Sequence, residues 1–254
     1  MQHRCKNQLV IILSFCIVFL FSCGGKNTES NVTAPGEEKT GKTEALEKSA
    51  NIIQDKTPLK KISMYLNGFH FYNGDINAQM EAHHYCTKVN EDITQCVIFD
   101  GNGDDAKIMG VEYIISRKLF TTLPEEEKKL WHSHVYEVKS GELIAPGVPQ
   151  LAEHELMEQI VSTYGKTFHT WHTDKELTLP VGVPQIMMGF TKDGQLADSL
   201  IKGRDKRFKI STAEKRENRK DIKEPPIEKG ANAWEAGEVR QITVTSEPVK
   251  HSHK

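Results

Sequence analysis

The pattern of apolar and polar positions divides the chain into a short hydrophobic start, a long polar stretch and a domain built from short elements. Leu9 to Phe21 is a continuous apolar run, preceded by the positive charges of Arg4 and Lys6. Its length suits the core of an export signal and falls short of the ~20 residues a spanning helix needs. From Gly24 to about Lys56 the sequence is mostly Gly, Ser, Thr, Asn, Glu and Lys, with little to bury. That composition predicts a flexible tether.

The pattern changes at Met64. MYLNGFHFY (64–72) predicts a strand, or a strand entering a turn. Gln79 to Val89 reads as a short helix or loop that becomes a hairpin strand, Gln95 to Asp100 as its partner, and Lys107 to Ser116 as a third strand rich in β-branched residues. Successive short strands joined by tight turns predict an antiparallel meander rather than βαβ units. Thr122 to Glu125 has capping-box spacing and predicts a short helix, followed by a strand over Leu130 to Val138. Leu151 to Tyr164 predicts a helix with Met157, Ile160, Val161 and Tyr164 on one face and Gly165 as its stop. Thr167 to His172 and Pro180 to Phe190 predict strands, the second irregular at its proline. Asp198 to Lys202 predicts a helix, and a second capping box, Ser211 to Glu214, opens another that ends before Pro225. The expected fold class is α+β, an antiparallel sheet with a few packed helices. The expected organisation is a lipoprotein signal peptide (1–22), a tether (23–56), a folded domain (57–235) and a polar tail (236–254).

Composition narrows the function. A formal net charge of -2 leaves no basic field for nucleic acid. The apolar run ends in Leu20-Phe21-Ser22-Cys23-Gly24, which resembles a bacterial lipobox, with Cys23 as the lipidated first residue of the mature protein. Several acyl chains, at ~0.8 kcal/mol per buried CH₂, make such an anchor effectively permanent. The expected location is the bacterial cell envelope. Gly24 stands where an aspartate often retains lipoproteins at the inner membrane, so the outer membrane is preferred.

Of the five cysteines, only Cys86 and Cys96 fall in the folded domain. They flank the turn-rich Asn90-Glu91-Asp92, and an exported protein can oxidise them to a disulfide. Free buried thiols and thiolate metal ligation stand as alternatives, while a redox role lacks C-x-x-C spacing.

Eleven histidines are the unusual count. His132-Ser133-His134 places two imidazoles on one face of a strand, a good half-site for a divalent transition metal. His83, His84, His169 and Glu137 complete the candidate ligand set. Glu137, Glu155 and Glu112 are candidate bases or fifth ligands, and in a regular strand Glu137 points away from the histidine pair. His84 shares a face with Cys86, and His83 takes the other face. His154 is expected to point towards the core. The cupin pattern, also built on H-x-H, fails on the spacing of its glutamate and glycine, and H-E-x-x-H is absent because position 158 is Glu.

The segments HHYC (83–86), NEDITQC (90–96), GVEYIIS (110–116), LPEEEKKLWHSH (123–134), EVKSGEL (137–143), YGKTFHTW (164–171), LPVGVPQIMM (179–188) and GRDKRFKIST (203–212) together resemble the oil-body-associated protein family. The resemblance runs from about Lys60 to Trp234. It implies association with a lipid surface and no settled catalytic mechanism. Plant members lack the lipobox, so an oil-body location does not carry over. They also carry Gln after the Trp of the H-x-W segment, which ranks His169 above His172 in any shared site. The primary expectation is a lipid-anchored, non-catalytic module that binds lipid or an envelope protein. The alternative is a metal-dependent hydrolase centred on His132 and His134.

Overall fold

The computed structural model describes residues 27–244. The stretch expected as a signal peptide (1–22) and Cys23 lie outside them. Helix α1 (Gly41–Ile53) and the single turn α2 (Thr57–Lys60) precede the strands β1 (Met64–Tyr72), β2 (Asp75–Lys88), β3 (Ile93–Phe99) and β4 (Ile108–Ser116). Next come α3 (Arg117–Thr121), α4 (Glu125–Lys128), the two-residue strand β5 (His132–Ser133), α5 (Val135–Ser140) and α6 (Gln150–Ile160). The order closes with β6 (Thr163–His169), β7 (Gln185–Met188), α7 (Asp198–Phe208) and α8 (Thr212–Glu217).

The sheet runs β4-β3-β2-β1-β7-β6-β5, and β4 also pairs with β6. Six antiparallel strands therefore close into a barrel, with β5 inserted beside the start of β6. Closure pairs the backbone groups that an open edge would leave free. β1 and β2 form a long hairpin whose turn needs Gly74 at φ +97°, a conformation only glycine adopts without strain. The α+β, antiparallel class expected from the sequence is the one observed.

Alternation along the strands sorts the side chains into an interior and an outer layer. Inside one end of the barrel, Leu66, Cys86, Cys96 and Ile114 pack with Met157 and Ile160 of α6, which lies over that end. Inside the other end are Tyr72, Met80, Ala82, Ile98, Met109 and Met187. Outside the wall, Phe69, Phe71, Met188 and Phe190 pack under Leu200 and Ile201 of α7 and Trp234. Cys86 and Cys96 face each other across β2 and β3 and form a disulfide.

Several local expectations change. Gln79–Val89 is strand throughout, because β2 extends from Asp75. The Thr122 capping box does not form: its hydroxyl bonds the Leu119 carbonyl, and Pro124 is the N-cap of α4. The Ser211 cap does form, accepting from Glu214 N–H. α6 ends at Ile160, and Gly165 sits within β6 instead of stopping the helix. Leu130–Val138 is two residues of strand followed by a helix. Only Gln185–Met188 of the Pro180 segment is strand.

The stretch expected as a tether is not uniform. α1 is helical with no buried residue, capped by Thr40. Residues 28–32 dock on the β3–β4 loop instead, with Ser30 Oγ and Asn31 N–H both donating to Asp100. In the polar tail, Gln241 bonds Ile186 and Asn73 at the open side of β7.

Two stability measurements follow. Replacing both Cys86 and Cys96 by alanine should lower unfolding free energy by about 2–3 kcal/mol, the loop-entropy value for so short a loop; denaturant titration of the oxidised and reduced protein measures it. Glu142 is buried, and burial pushes its carboxyl up to about 7, against the opposing pull of Tyr136, Arg204 and Arg216. Its folded pKa lies above the unfolded value, so the folded state holds its proton longer as pH rises. Stability therefore falls as pH rises from about 4.5 through 7. Glu142→Gln should match the wild type near pH 4.5 and exceed it at pH 8 by up to about 3 kcal/mol, read from thermal melts across that range.

Candidate metal centre

Between the two apolar ends of the barrel lies a layer of buried imidazoles and carboxylates. β1 contributes His70, β2 His84, β4 Glu112, β5 His132, and α5 Glu137 with His134 at its N-cap. All are buried. Glu112 is the common neighbour: its carboxylate oxygens lie 3.0 Å from His84 Nε2, 3.4 Å from His132 Nε2 and 3.4 Å from His134 Nε2. Two trios can each hold an ion, His70/His84/Glu112 and Glu112/His132/His134, with potential ligand atoms within 4.8 Å of one another.

The local backbone explains the convergence. Leu66 and His70 share the inward face of β1, and Leu66 is paired with His84 across the hairpin. Gly165 of β6 is paired with His132. A Cβ there would collide with Glu112 Oε1 and come within 2.8 Å of the His132 ring, so the site needs a glycine. The helical turn of α5 brings Glu137 to the same side as His134, with its Oε2 3.8 Å from His132 Nε2 and 4.0 Å from His134 Nε2. A regular strand would have turned Glu137 away.

Two buried arginines hold α5 and the loop after it. Arg204 donates to the carbonyls of Glu142 and Gly141, and Arg219 to those of Val138 and Leu143. Burying guanidinium is costly unless it is paired; Arg204 has Asp205 and Arg219 has Glu153 beside it, and both direct further donors to the backbone around Glu137.

The imidazoles are oriented as ligands would be. His134 Nδ1 lies 2.7 Å from Thr163 Oγ1, whose own proton goes to the Ile160 carbonyl. Thr163 can therefore only accept, which puts a proton on Nδ1 and aims Nε2 at the site. His169 backs His70, with Nε2 and Nδ1 3.2 Å apart. Both ring nitrogens of His84 and of His132, and Glu137 Oε2, have no hydrogen-bond partner. Burial and the neighbouring histidines His84 and His169 hold His70 well below the usual imidazole range, and burial lowers His134. Burial alone would raise Glu112, but the imidazoles of His132, His134 and His84 outweigh it and keep the carboxyl ionised. Burial, with Glu112 and Glu142 nearby, pushes Glu137 well up.

Of the residues expected from the sequence, His84, Glu112, His132, His134 and Glu137 meet here. His169 stands one step behind. His83 does not join: it points to the outer face, bonded to the Tyr65 hydroxyl at 2.7 Å and beside Glu81 at 3.4 Å. His154 is partly exposed and paired with Asp221, and Glu155 is exposed, so neither reaches the interior. His172 bonds Tyr72 and the Val183 carbonyl. Neither cysteine is a thiolate ligand, since both sulfurs are in the disulfide. His70 was missed, although strand alternation from Leu66 places it inward. Glu112, already among the candidates, is marked in the sequence as a charge inside the apolar run IMGVEYIIS.

Comparisons with known proteins agree on one family. Residues 56–223 match a family described as a protein of unknown function, DUF1264. Oil body-associated protein 1B of Arabidopsis thaliana is 41% identical over 223 residues, covering 86% of this chain and 92% of the relative. Oil body-associated protein 1A of Zea mays is 45% identical over 217 residues, covering 84% and 91%. Oil body-associated protein 2C of Arabidopsis thaliana is 37% identical over 203 residues, covering 79% and 86%. No solved structure matches. Family match and full-length relatives together place this chain in the oil-body-associated protein family.

Proposed function

We propose that this chain is a metal-binding barrel protein held at a membrane surface by a lipid on Cys23. The observation that carries the metal reading is the set of unpartnered nitrogens on His84 and His132, buried beside the ionised Glu112. A buried polar atom without a partner costs about 1–3 kcal/mol, and several in one layer are offset when their lone pairs meet a cation. Imidazole nitrogen with one carboxylate oxygen is a ligand set for a first-row divalent metal such as zinc or iron. His70, His84, Glu112, His132 and His134 hold the ion, with Thr163 and His169 fixing ring orientation.

The cavity among these ligands measures about 10 Å³, room for one ion or water. A hydrolase needs a cleft for its organic substrate that opens on the metal; among the described residues a cavity of about 320 Å³ touches none of these ligands and shares only Leu66, Ile114 and Ile160 with theirs, so the reading stops at metal binding. The membrane half rests on the lipobox sequence and on relatives named for oil bodies. In this reading the anchor sets the location, in a bacterial cell envelope with the outer membrane preferred. The domain then needs no membrane-binding surface of its own, and a lipid or envelope protein is its natural neighbour.

Elemental analysis of the protein, purified without a metal-binding tag, should find about one equivalent of a divalent metal. Glu112→Gln and the double variant His132→Ala/His134→Ala should each lose it. Metal at a hundredfold excess over its dissociation constant should stabilise the wild type by about 2.7 kcal/mol and leave Glu112→Gln unmoved. A folded wild type that retains no metal after exposure to zinc, iron(II) and manganese would end this reading. Separately, Cys23→Ala should move the protein from the membrane to the soluble fraction of cells; an unchanged distribution would remove the anchor.

A further inference from the structure

The segment that follows Cys23 by a few residues is strapped to the barrel. Thr28 N–H donates to Asn102 Oδ1 at 2.6 Å, and Asn102 N–H donates back to the Thr28 carbonyl at 3.0 Å. Ser30 Oγ and Asn31 N–H both donate to Asp100, at 2.8 and 3.2 Å. Asn31 Nδ2 donates to Thr173 Oγ1 at 3.2 Å, and Arg207 Nε of α7 to Thr28 Oγ1 at 3.0 Å. Val32 is buried at the end of the strap. The barrel leaves room for this segment: a Cβ on Gly101 would collide with the Thr28 carbonyl oxygen. Three separate parts of the fold, the β3–β4 loop, the loop after β6 and α7, therefore hold residues 28–32.

The strap lies at one end of the barrel. The β3–β4 loop leads into the start of β4, and residues 170–184 connect the end of β6 to β7. Lys88, Ser116 and Thr163, at the other ends of β2, β4 and β6, belong to the α6 end, and the seven residues of β6 put about 20 Å between the two ends. Residues 177–184 of the β6–β7 loop, LTLPVGVP, carry no charge, and Leu179 and Val181 are each 51% exposed. From Cys23 to Thr28 is five residues, at most about 18 Å of extended chain. With the strap free, the first fixed point would be Met64 of β1, and the reach would be on the order of 100 Å.

We infer that the strap turns the lipid on Cys23 into a fixed mount, holding the barrel end formed by the β3–β4 and β6–β7 loops against the bilayer that takes the acyl chains and turning the α6 end away from it. The inference rests on the anchor proposed above and adds the face that meets the membrane. The strap sets the orientation and the lipid supplies the attachment. An uncharged loop tip at this end can approach the headgroups without stripping water from an ion.

The test uses the full acylated chain, extracted from membranes and added to preformed vesicles of phosphatidylethanolamine and phosphatidylglycerol that carry a nitroxide on the headgroup. Val181→Cys reports the strap end, and Val89→Cys, 57% exposed in the β2–β3 turn, reports the α6 end. Each is labelled with a fluorophore in its own protein; Cys86 and Cys96 are held in the disulfide and do not react. Quenching at position 181 should exceed that at 89 at least several-fold. Thr28→Val/Ser30→Ala/Asn31→Ala, which removes the strap's side-chain bonds and no core residue, should bring the two positions to near equality while the protein stays on the vesicles. Equal quenching with the native strap, or a difference that survives in the strap variant, would overturn the mount and leave the anchor standing. A protein whose mass shows no acyl chains on Cys23 would overturn both.

Discussion

The structure depends on a charge that it cannot leave alone. Glu112 is an ionised carboxylate at the centre of a closed barrel, with hydrophobic layers above and below it. Removing a carboxylate from water costs several kcal/mol even after relaxation. Nearly every unusual feature of the interior compensates for that burial. Imidazoles arrive from β2, β5 and the N-cap of α5 to surround it, and Gly165 gives up a side chain so that it fits. A metal ion would complete the set, bringing positive charge beside the carboxylate and taking the imidazole nitrogens as ligands.

The same constraint explains why the barrel wall is irregular where it is. Between β1 and β6 no single strand runs the whole length: β7 pairs only with Phe71–Tyr72 and with Thr167–His169. Instead β5 contributes two residues and the chain turns at once into α5, so that three consecutive inward groups, His132, His134 and Glu137, come from a stretch too short to do so as strand. Holding that turn requires Arg204 and Arg219, buried against the carbonyls of residues 138–143. Both arginines lie far along the chain from the histidines, on or after helices that otherwise read as a charged surface. Their role is to position, and Gly141, in the left-handed conformation, keeps the corner tight against α8.

The two ends of the barrel are closed differently. One is filled by Tyr72, Met80, Met109 and Met187 with Ala82 and Ile98. The other is bound covalently by the Cys86–Cys96 disulfide and covered by Met157 and Ile160 of α6.

Much of this protein is decided by local sequence. The polar stretch after Gly24, the antiparallel class, the hairpin that brings Cys86 opposite Cys96, and the pairing of His132 with His134 follow from alternation, turn residues and spacing. These features depend on neighbours a few residues apart, and short-range sterics act on nothing else. The assembly of the site does not. Whether His83 or His84 faces inward depends on which face of β2 the barrel encloses, and both faces of that strand are buried. Glu137 depends on strand giving way to helix at Val135, which Arg204 and Arg219 hold in place from a distant part of the sequence. His70 and Glu112 are far apart along the chain and meet only because β4 pairs with β6 and the sheet closes. Barrel closure decides which polar residues are taken out of water together, and that long-range event cannot be read from periodicity along one strand.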